Sequence, residues 1–223
     1  MLCDICGERG IIKQHFSGRV LCKKCLYRDL MRRTKRIVGE YRMLEPRDRI
    51  LVVIGKYLED FIAAKILWDI ERKYPTTIFL LLSQHMDEEK IVSRYIGELY
   101  KERIVKNYKE PWEVARKLKC TKIVVGITLE EYLASFLFPK FLYGVILPKE
   151  RISEKLTIIR PTIKIMLKEM KLITEEEIIK KLHTKENEIT RFLENLESKH
   201  EGILFSFYKG TEKLMKEIKN FKP

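Results

Sequence analysis

No stretch of this sequence is apolar for long enough to cross a bilayer. Its longest apolar runs, Ile50–Ile54 and Ile78–Leu82, are strand-sized, far short of the roughly 20 residues a membrane helix requires. The opening Met1-Leu2-Cys3-Asp4 lacks the charged-then-apolar pattern of a secretory leader, so a cytoplasmic protein without a membrane partner is expected. There is no low-complexity tract and no internal repeat, which excludes a repeat array. Acidic residues are the minority charge: 32 Asp and Glu face 45 Lys and Arg, a formal charge of +13. On thermophile surfaces both signs rise together; here only one does. The surplus points to a polyanionic partner, nucleic acid ahead of an acidic membrane.

Glycine is missing where a nucleotide-binding loop would need it. The turn Val53-Ile54-Gly55-Lys56-Tyr57-Leu58-Glu59-Asp60 follows the first long strand signal and contains a single glycine. A phosphate loop needs several, so that backbone N–H groups can approach the oxygens beside a helix N-terminus. Tyr57 and Leu58 add bulk, and Glu59 and Asp60 add negative charge. Lys56 remains as a cation able to hold one phosphate. Cysteine is nearly absent after residue 25: Cys120 stands alone and reads as a small buried residue.

The cysteines that are present gather at the front as Cys3-x-x-Cys6 and, fifteen residues on, Cys22-x-x-Cys25. Each pair can present two thiolates to one ion, and two pairs complete the tetrahedral sulfur shell of a structural Zn²⁺. Two disulfides or free thiols are the alternative, but this cysteine usage suits a reducing compartment. His15 reads as a surface or stacking residue, because four thiolates already fill the shell.

The chain divides by pattern. Residues 1–27 read as a zinc ribbon whose folding energy comes largely from the metal. Residues 28–47 form a basic linker helix, within a helical pattern from Lys23 to Arg42. Residues 48–160 alternate strands (50–54, 77–82, 122–125, 157–159) with helices (58–74, 87–102, 111–117, 126–142). Such alternation predicts an α/β domain with a parallel sheet covered on both faces. Residues 161–223 read as a helical C-terminal region packed on that domain, with helices at 163–170, 175–182, 186–198 and 211–219. Thr174 and Glu177 have capping-box spacing. Leu133, Phe136, Leu137, Phe138, Phe141, Leu142 and Tyr143 make an apolar cluster too wide for one helical stripe, read as core with a subunit interface as the alternative.

The first 49 residues hold 13 Lys and Arg against 6 Asp and Glu, more than half the excess charge of the chain. Lys13, Arg19, Lys23 and Lys24 lie between or beside the cysteines, where they either offset a negative thiolate centre or face a phosphate backbone. Arg28, Arg32, Arg33, Lys35 and Arg36 follow on the helix. Of these, Arg28, Arg32, Lys35 and Arg36 recur at i, i+4, i+7 and i+8 and share a face, and like charges so placed repel unless an anion is near. These nine cations are the candidate nucleic-acid contacts, of a kind that is salt-dependent and weak in sequence preference.

A zinc ribbon, the phrase Ser17-Gly18-Arg19-Val20-Leu21-Cys22-Lys23-Lys24, a basic helix and then Asp48-Arg49-Ile50-Leu51-Val52-Val53 resemble the opening of the tRNA 2-thiolation enzymes of the TtuA/TtcA type. These are PP-loop ATPases that adenylate a tRNA base and replace its oxygen with sulfur. Val125-Gly126-Ile127 stands where that family has Thr-Gly-His. Ile159-Arg160-Pro161 resembles its Arg-Pro-Leu element, and residues 192–203 resemble its C-terminal helix and turn. The resemblance implies a PP-loop fold of the adenine nucleotide alpha-hydrolase, Rossmann-like kind, with tRNA as partner. Where the family's Ser-Gly-Gly-x-Asp-Ser loop would be, this chain has Ile54-Gly55-Lys56-Tyr57-Leu58-Glu59, and the family's catalytic cysteines have no counterpart. Gly55, Lys56, Gly126 and Glu130 then mark a vestigial nucleotide pocket with no catalytic residue. Neither ATP nor an iron–sulfur cluster is expected on this reading. The cytoplasmic wobble-uridine thiolase, an active subunit paired with an inactive sister, is the precedent. The chain would be a non-catalytic partner that brings tRNA to a catalytic sister subunit, or it would pair with itself. A divergent ATP-dependent tRNA-modifying enzyme using Lys56 and Glu130 is the second reading, and a zinc-dependent assembly or regulatory protein without nucleic acid the third.

Overall fold

The computed structural model describes residues 1–82, 104–106, 110–139 and 144–220. The helix expected at 87–102 and residues 141–143 of the apolar cluster lie outside them. In chain order the described strands are β1 (Ile12–Lys13), β2 (Val20–Leu21), β3 (Arg49–Ile54), β4 (Thr77–Leu82), β5 (Ile104–Lys106), β6 (Lys122–Val124), β7 (Lys149–Arg151) and β8 (Thr157–Ile159). The described helices are α1 (Lys23–Glu40), α2 (Leu58–Glu71), α3 (Pro111–Lys117), α4 (Leu129–Leu137), α5 (Leu167–Ile173), α6 (Glu176–Lys181), α7 (Glu188–Lys199) and α8 (Ile203–Asn220). None is long and apolar enough to cross a membrane.

Contacts gather these elements into two units that interleave along the chain. One comprises Met1–Leu26, Leu129–Ile146 and Glu186–Pro223; the other comprises Tyr27–Thr128 and Leu147–Lys185.

The second unit is the α/β body. Its sheet runs β5-β4-β3-β6-β8-β7. Strands β3, β4, β5, β6 and β8 run parallel to one another, as the apolar runs predict. Central β3 reads Ile-Leu-Val-Val-Ile because both of its faces are covered, and Ile50, Leu51, Val52 and Ile54 are buried. Helix α2 is apolar on nearly every side, and eleven of its residues are buried, which marks a helix enclosed by the fold rather than one lying on its surface. Cys120 packs with Leu51, Val114, Ala115 and Ile123, and burial pushes its thiol up to about 11.

The structure departs from the sequence reading at one sheet edge. Strand β7 pairs antiparallel with β8, Lys149 opposite Ile159 and Arg151 opposite Thr157, so the sheet is mixed. Lys149-Glu150-Arg151 carries no apolar signal, and charged residues are what a solvent-facing edge strand uses.

Helix boundaries differ for identifiable reasons. Helix α1 stops at Glu40 because Arg42 turns left-handed (φ +44°). Its N–H and that of Met43 bond back to Gly39 and Val38, a Schellman closure. Residues 126–128 stay out of α4: the Ile127 N–H donates to Thr162 Oγ1 at 3.2 Å, and that hydroxyl donates to the Ile127 carbonyl at 2.8 Å. The Thr174 hydroxyl donates to the Met170 carbonyl at 2.7 Å. A capping box opens α7, where Asn187 Oδ1 accepts the N–H groups of Ile189 and Thr190 and the Thr190 hydroxyl accepts that of Asn187.

In the first unit β1 and β2 form an antiparallel hairpin, and α4, α7 and α8 pack together. Phe16 of the hairpin turn lies against Phe205 of α8, ring centroids 4.1 Å apart. Tyr132 of α4 meets Tyr208 at 5.7 Å. Glu197 accepts the N–H groups of Gly202 and Leu204, each at 3.0 Å. That carboxylate starts α8 at residue 203 rather than 211. Of the apolar cluster, Leu133 is buried, Phe136 and Phe138 are half-buried and Leu137 is exposed.

Candidate functional site

The four N-terminal cysteines converge. Their sulfurs all lie within 4.8 Å of one another, with Cys6 Sγ 3.5 Å from both Cys22 Sγ and Cys25 Sγ. A tetrahedral ion with metal–sulfur bonds near 2.3 Å sets sulfurs about 3.8 Å apart, so the set fits one ion. Local chain geometry builds it. Gly7 takes a left-handed conformation (φ +76°) just after Cys6, and its N–H donates to the Cys3 carbonyl at 2.9 Å. Cys22 and Cys25 straddle the start of α1, where the Cys25 N–H points at Cys22 Sγ, 3.5 Å away. Burial acts to raise the Cys3 thiol, but backbone N–H groups of Cys22, Ile5 and Cys6 outweigh it and bring it down to about 6. Cys25 is pushed up to about 12 by burial and by the neighbouring sulfurs. Four thiols this close cannot all ionise without a cation between them. His15 is no ligand: its Nδ1 sits 2.8 Å from the Glu201 carboxylate.

The second site is the crevice at the carboxyl ends of β3 and β6, where the strand order reverses. Open α/β sheets bind ligands there. Here the chain fills it. Gly126, two residues beyond β6, packs so tightly on the start of α2 that a Cβ would fall 2.1 Å from the Glu59 carbonyl oxygen. The Gly126 N–H donates to Asp60 Oδ1 at 3.2 Å. Lys185, just after α6, donates from Nζ to the Gly126 carbonyl at 2.6 Å and to Asp60 Oδ1 at 3.2 Å. Its backbone N–H donates to Glu59 Oε1 at 2.9 Å. His183 pairs with the turn itself: its N–H donates to the Lys56 carbonyl and its carbonyl accepts the Leu58 N–H, both at 2.8 Å. Burial raises both Glu59 and Asp60, against the lowering effect of Lys185. Lys56 is exposed, its ammonium 5.4 Å from the Tyr57 ring centroid. Glu130 is buried in α4 of the other unit. Sequence reasoning found Gly55, Lys56 and Gly126 but missed His183 and Lys185. No periodicity signals a partner some 125 residues away.

The candidate nucleic-acid residues divide by unit. Lys13, Arg19, Lys23 and Lys24 are exposed in the four-cysteine unit. Arg28, Arg32, Lys35 and Arg36 are exposed on α1 in the α/β unit, as the helical spacing predicts. Arg33 is the exception. It is buried, its Nη2 donating to Glu169 Oε1 at 2.6 Å and its Nη1 to the Lys164 carbonyl at 2.7 Å, with Asp29 3.1 Å from Nε. It ties α1 to the start of α5 and is not available to a nucleic acid.

No family model matches the chain. Over 144 residues it is 27 % identical to a probable sulfurtransferase of Methanocaldococcus jannaschii, a stretch covering 65 % of this chain and 40 % of that relative. Over 72 residues it is 32 % identical to the tRNA-5-methyluridine(54) 2-sulfurtransferase of Thermus thermophilus, covering 31 % of this chain and 21 % of that one. The fold superposes on the U34-tRNA thiolase NcsA from Methanococcus maripaludis, solved with its 4Fe–4S cluster. The TM-score is 0.73 at 18 % identity, over 97 % of this chain and 88 % of that chain. The chain is thus similar in sequence to parts of two sulfurtransferases and in fold to a tRNA thiolase. Its match spans less than half the length of either sulfurtransferase.

That relationship corrects the cofactor expectation. The sequence reading sets an iron–sulfur cluster aside because no paired cysteines follow residue 25. The thiolase with this fold holds such a cluster, and four converging thiols are a ligand set that clusters use as well as zinc. The exclusion therefore does not stand.

Proposed function

We propose that this protein binds tRNA and supports its thiolation without itself adenylating the base. The observation that carries this reading is the filled crevice beside β3. A turn that receives a triphosphate needs free backbone N–H groups and an uncommitted cation. Here the N–H groups of Leu58 and Gly126 are engaged by His183 and Asp60, and the Lys185 ammonium is held by Asp60 and the Gly126 carbonyl. The relatedness to tRNA sulfurtransferases supports tRNA as the ligand. Exposed Arg28, Arg32, Lys35 and Arg36 on α1, together with Lys13, Arg19, Lys23 and Lys24, offer the phosphate contacts. A single structural Zn²⁺ on Cys3, Cys6, Cys22 and Cys25 suits the sulfur spacing. A catalytic sister subunit or a second copy would complete the reaction.

The test is tRNA affinity measured against salt concentration. Reversing charge at Arg28, Arg32 and Arg36 should weaken binding and flatten the slope by about three counterions; an unchanged slope removes α1 from the interface. The relatives are themselves sulfurtransferases, which favours an ATP-dependent modifying enzyme as the second reading. Calorimetry with ATP and Mg²⁺ separates the two. No heat that depends on Lys56 is expected, and ATP binding lost in Lys56→Ala would favour the enzyme.

A further inference from the structure

At the amino-terminal ends of β3, β6 and β8, opposite the filled crevice, the α/β unit contains a cavity of about 590 Å³. Nothing in the proposed role uses it. Its volume is that of a small-molecule site. Lys122, the first residue of β6, lines it with a side chain only 8 % exposed. The nearest carboxylate oxygen is Asp48 Oδ1 at 3.8 Å, beyond hydrogen-bond reach. Asp48 is already engaged: Oδ1 accepts the Thr121 hydroxyl and Oδ2 the Glu45 N–H, each at 2.6 Å. Among the described residues the Lys122 ammonium therefore has no acceptor at bonding distance. Its stem is buried, while its ammonium, loosely paired with Asp48, opens onto the cavity.

Other cations face the same space. Lys149 and Arg151 on β7 and Lys155 in the turn to β8 line the wall, with Glu45 and Glu154 as the opposing carboxylates. Counting Asp48, four cations meet three anions, a net charge of +1 that an anionic ligand would balance. Separate point charges around one space suit an ion with several equivalent oxygens.

We propose that this cavity binds a phosphate monoester of mononucleotide size, its phosphate on Lys122 and the rim cations Arg151 and Lys155 closing over it. The ester comes either from a free nucleotide or from the terminal phosphate of an RNA. The site is independent of the contacts assigned to α1.

Calorimetry on the full chain tests it with AMP, adenosine and a short RNA with or without a 5′-phosphate. AMP or the phosphorylated RNA should bind, adenosine and the unphosphorylated RNA should bind at least about tenfold more weakly, and Lys122→Met should lose about tenfold or more in affinity. Met matches the buried stem but leaves buried Asp48 without the cation 3.8 Å away, so the variant's melting temperature without ligand should fall modestly, and affinity is compared on folded protein. If Lys122→Met does not fold, the exposed-rim pair Arg151→Gln and Lys155→Ala carries the same expectation. AMP binding alone identifies a free nucleotide; a preference confined to phosphorylated RNA identifies an RNA end. No binding by either phosphate probe, equal binding of adenosine and AMP, or unchanged affinity in the variants overturns the proposal. ATP heat that survives Lys122→Met reports on the β3 crevice, so failure here and failure of the proposed function are distinguishable.

Discussion

The Lys185 ammonium donates to the Gly126 carbonyl oxygen at 2.6 Å. One side chain from beyond α6 thereby holds the loop that leaves β6. The same nitrogen lies 3.2 Å from Asp60 Oδ1, in the first turn of α2. A cation, a carboxylate and a glycine backbone occupy the ground that a nucleotide phosphate takes in open α/β folds. Most of the chemistry argued for this protein follows from that arrangement.

Lys185→Met should leave Asp60 buried without its cation. Removing one partner of a buried pair costs about 3 kcal/mol or more, because the remaining charge is stranded. Asp60→Asn in the same chain should recover much of that loss, since an amide needs no counter-ion. Urea midpoints of the two single variants and the double variant give the coupling, and additive losses would show that the pair does not act as one.

Gly126→Ala should be among the most disruptive small substitutions. The new methyl would meet the Glu59 carbonyl at 2.1 Å, backbone against backbone, with no rotamer to yield. A loss of about 3 kcal/mol is expected, whereas Gly39→Ala, inside α1 and meeting nothing within 4 Å, should gain about 0.5 kcal/mol. Similar melting temperatures for the two would contradict the packing.

Glu59→Gln should stabilise the protein at neutral pH. Burial raises the Glu59 carboxyl above its ordinary value, chiefly by desolvation, and among the described residues its Oε2 has no hydrogen-bond partner. A carboxyl raised in the folded state contributes stability that is complete below its unfolded value and is lost as pH rises through the folded value. Wild type should therefore weaken between about pH 4.5 and neutrality. Gln keeps an oxygen for the Lys185 N–H and has no charge to bury. The variant should gain about 1 kcal/mol at neutral pH and a flatter profile, as denaturation across that range would record. Asp60 shifts in the same direction and accounts for the slope that remains.

Cys25→Ser should abolish metal binding at the N-terminal centre and unfold the β1–β2 hairpin, whose own apolar content is small. Elemental analysis should find about one zinc per wild-type chain. Iron together with visible charge-transfer absorption would assign the thiols to a cluster instead. Strong chelator should produce the same loss of structure as the substitution, and a hairpin that survives it would mean the metal is not what folds it.

Local chemistry made several features legible in the sequence. The spacing of Cys3, Cys6, Cys22 and Cys25 specifies a convergent thiol set because each short loop can aim only one way. The apolar runs at 50–54 and 77–82 specify buried parallel strands, and the repeat of Arg28, Arg32, Lys35 and Arg36 specifies an exposed helical face. Each of these rests on neighbours a few residues apart. Arg33 broke that pattern: its spacing says surface, yet Glu169, 136 positions away, draws it inside.

The sequence by itself determined the metal-ligand pattern, the alternation of strands and helices, and the weakness of the phosphate turn. Only the tertiary structure decided what fills that turn, which of the basic residues are buried, and that Lys122 stands over a cavity. The physical reason is distance along the chain. Periodicity and turn chemistry act within a few residues, whereas Lys185 meets Asp60 and His183 meets Lys56 only because the sheet and its helices bring them to one end of β3.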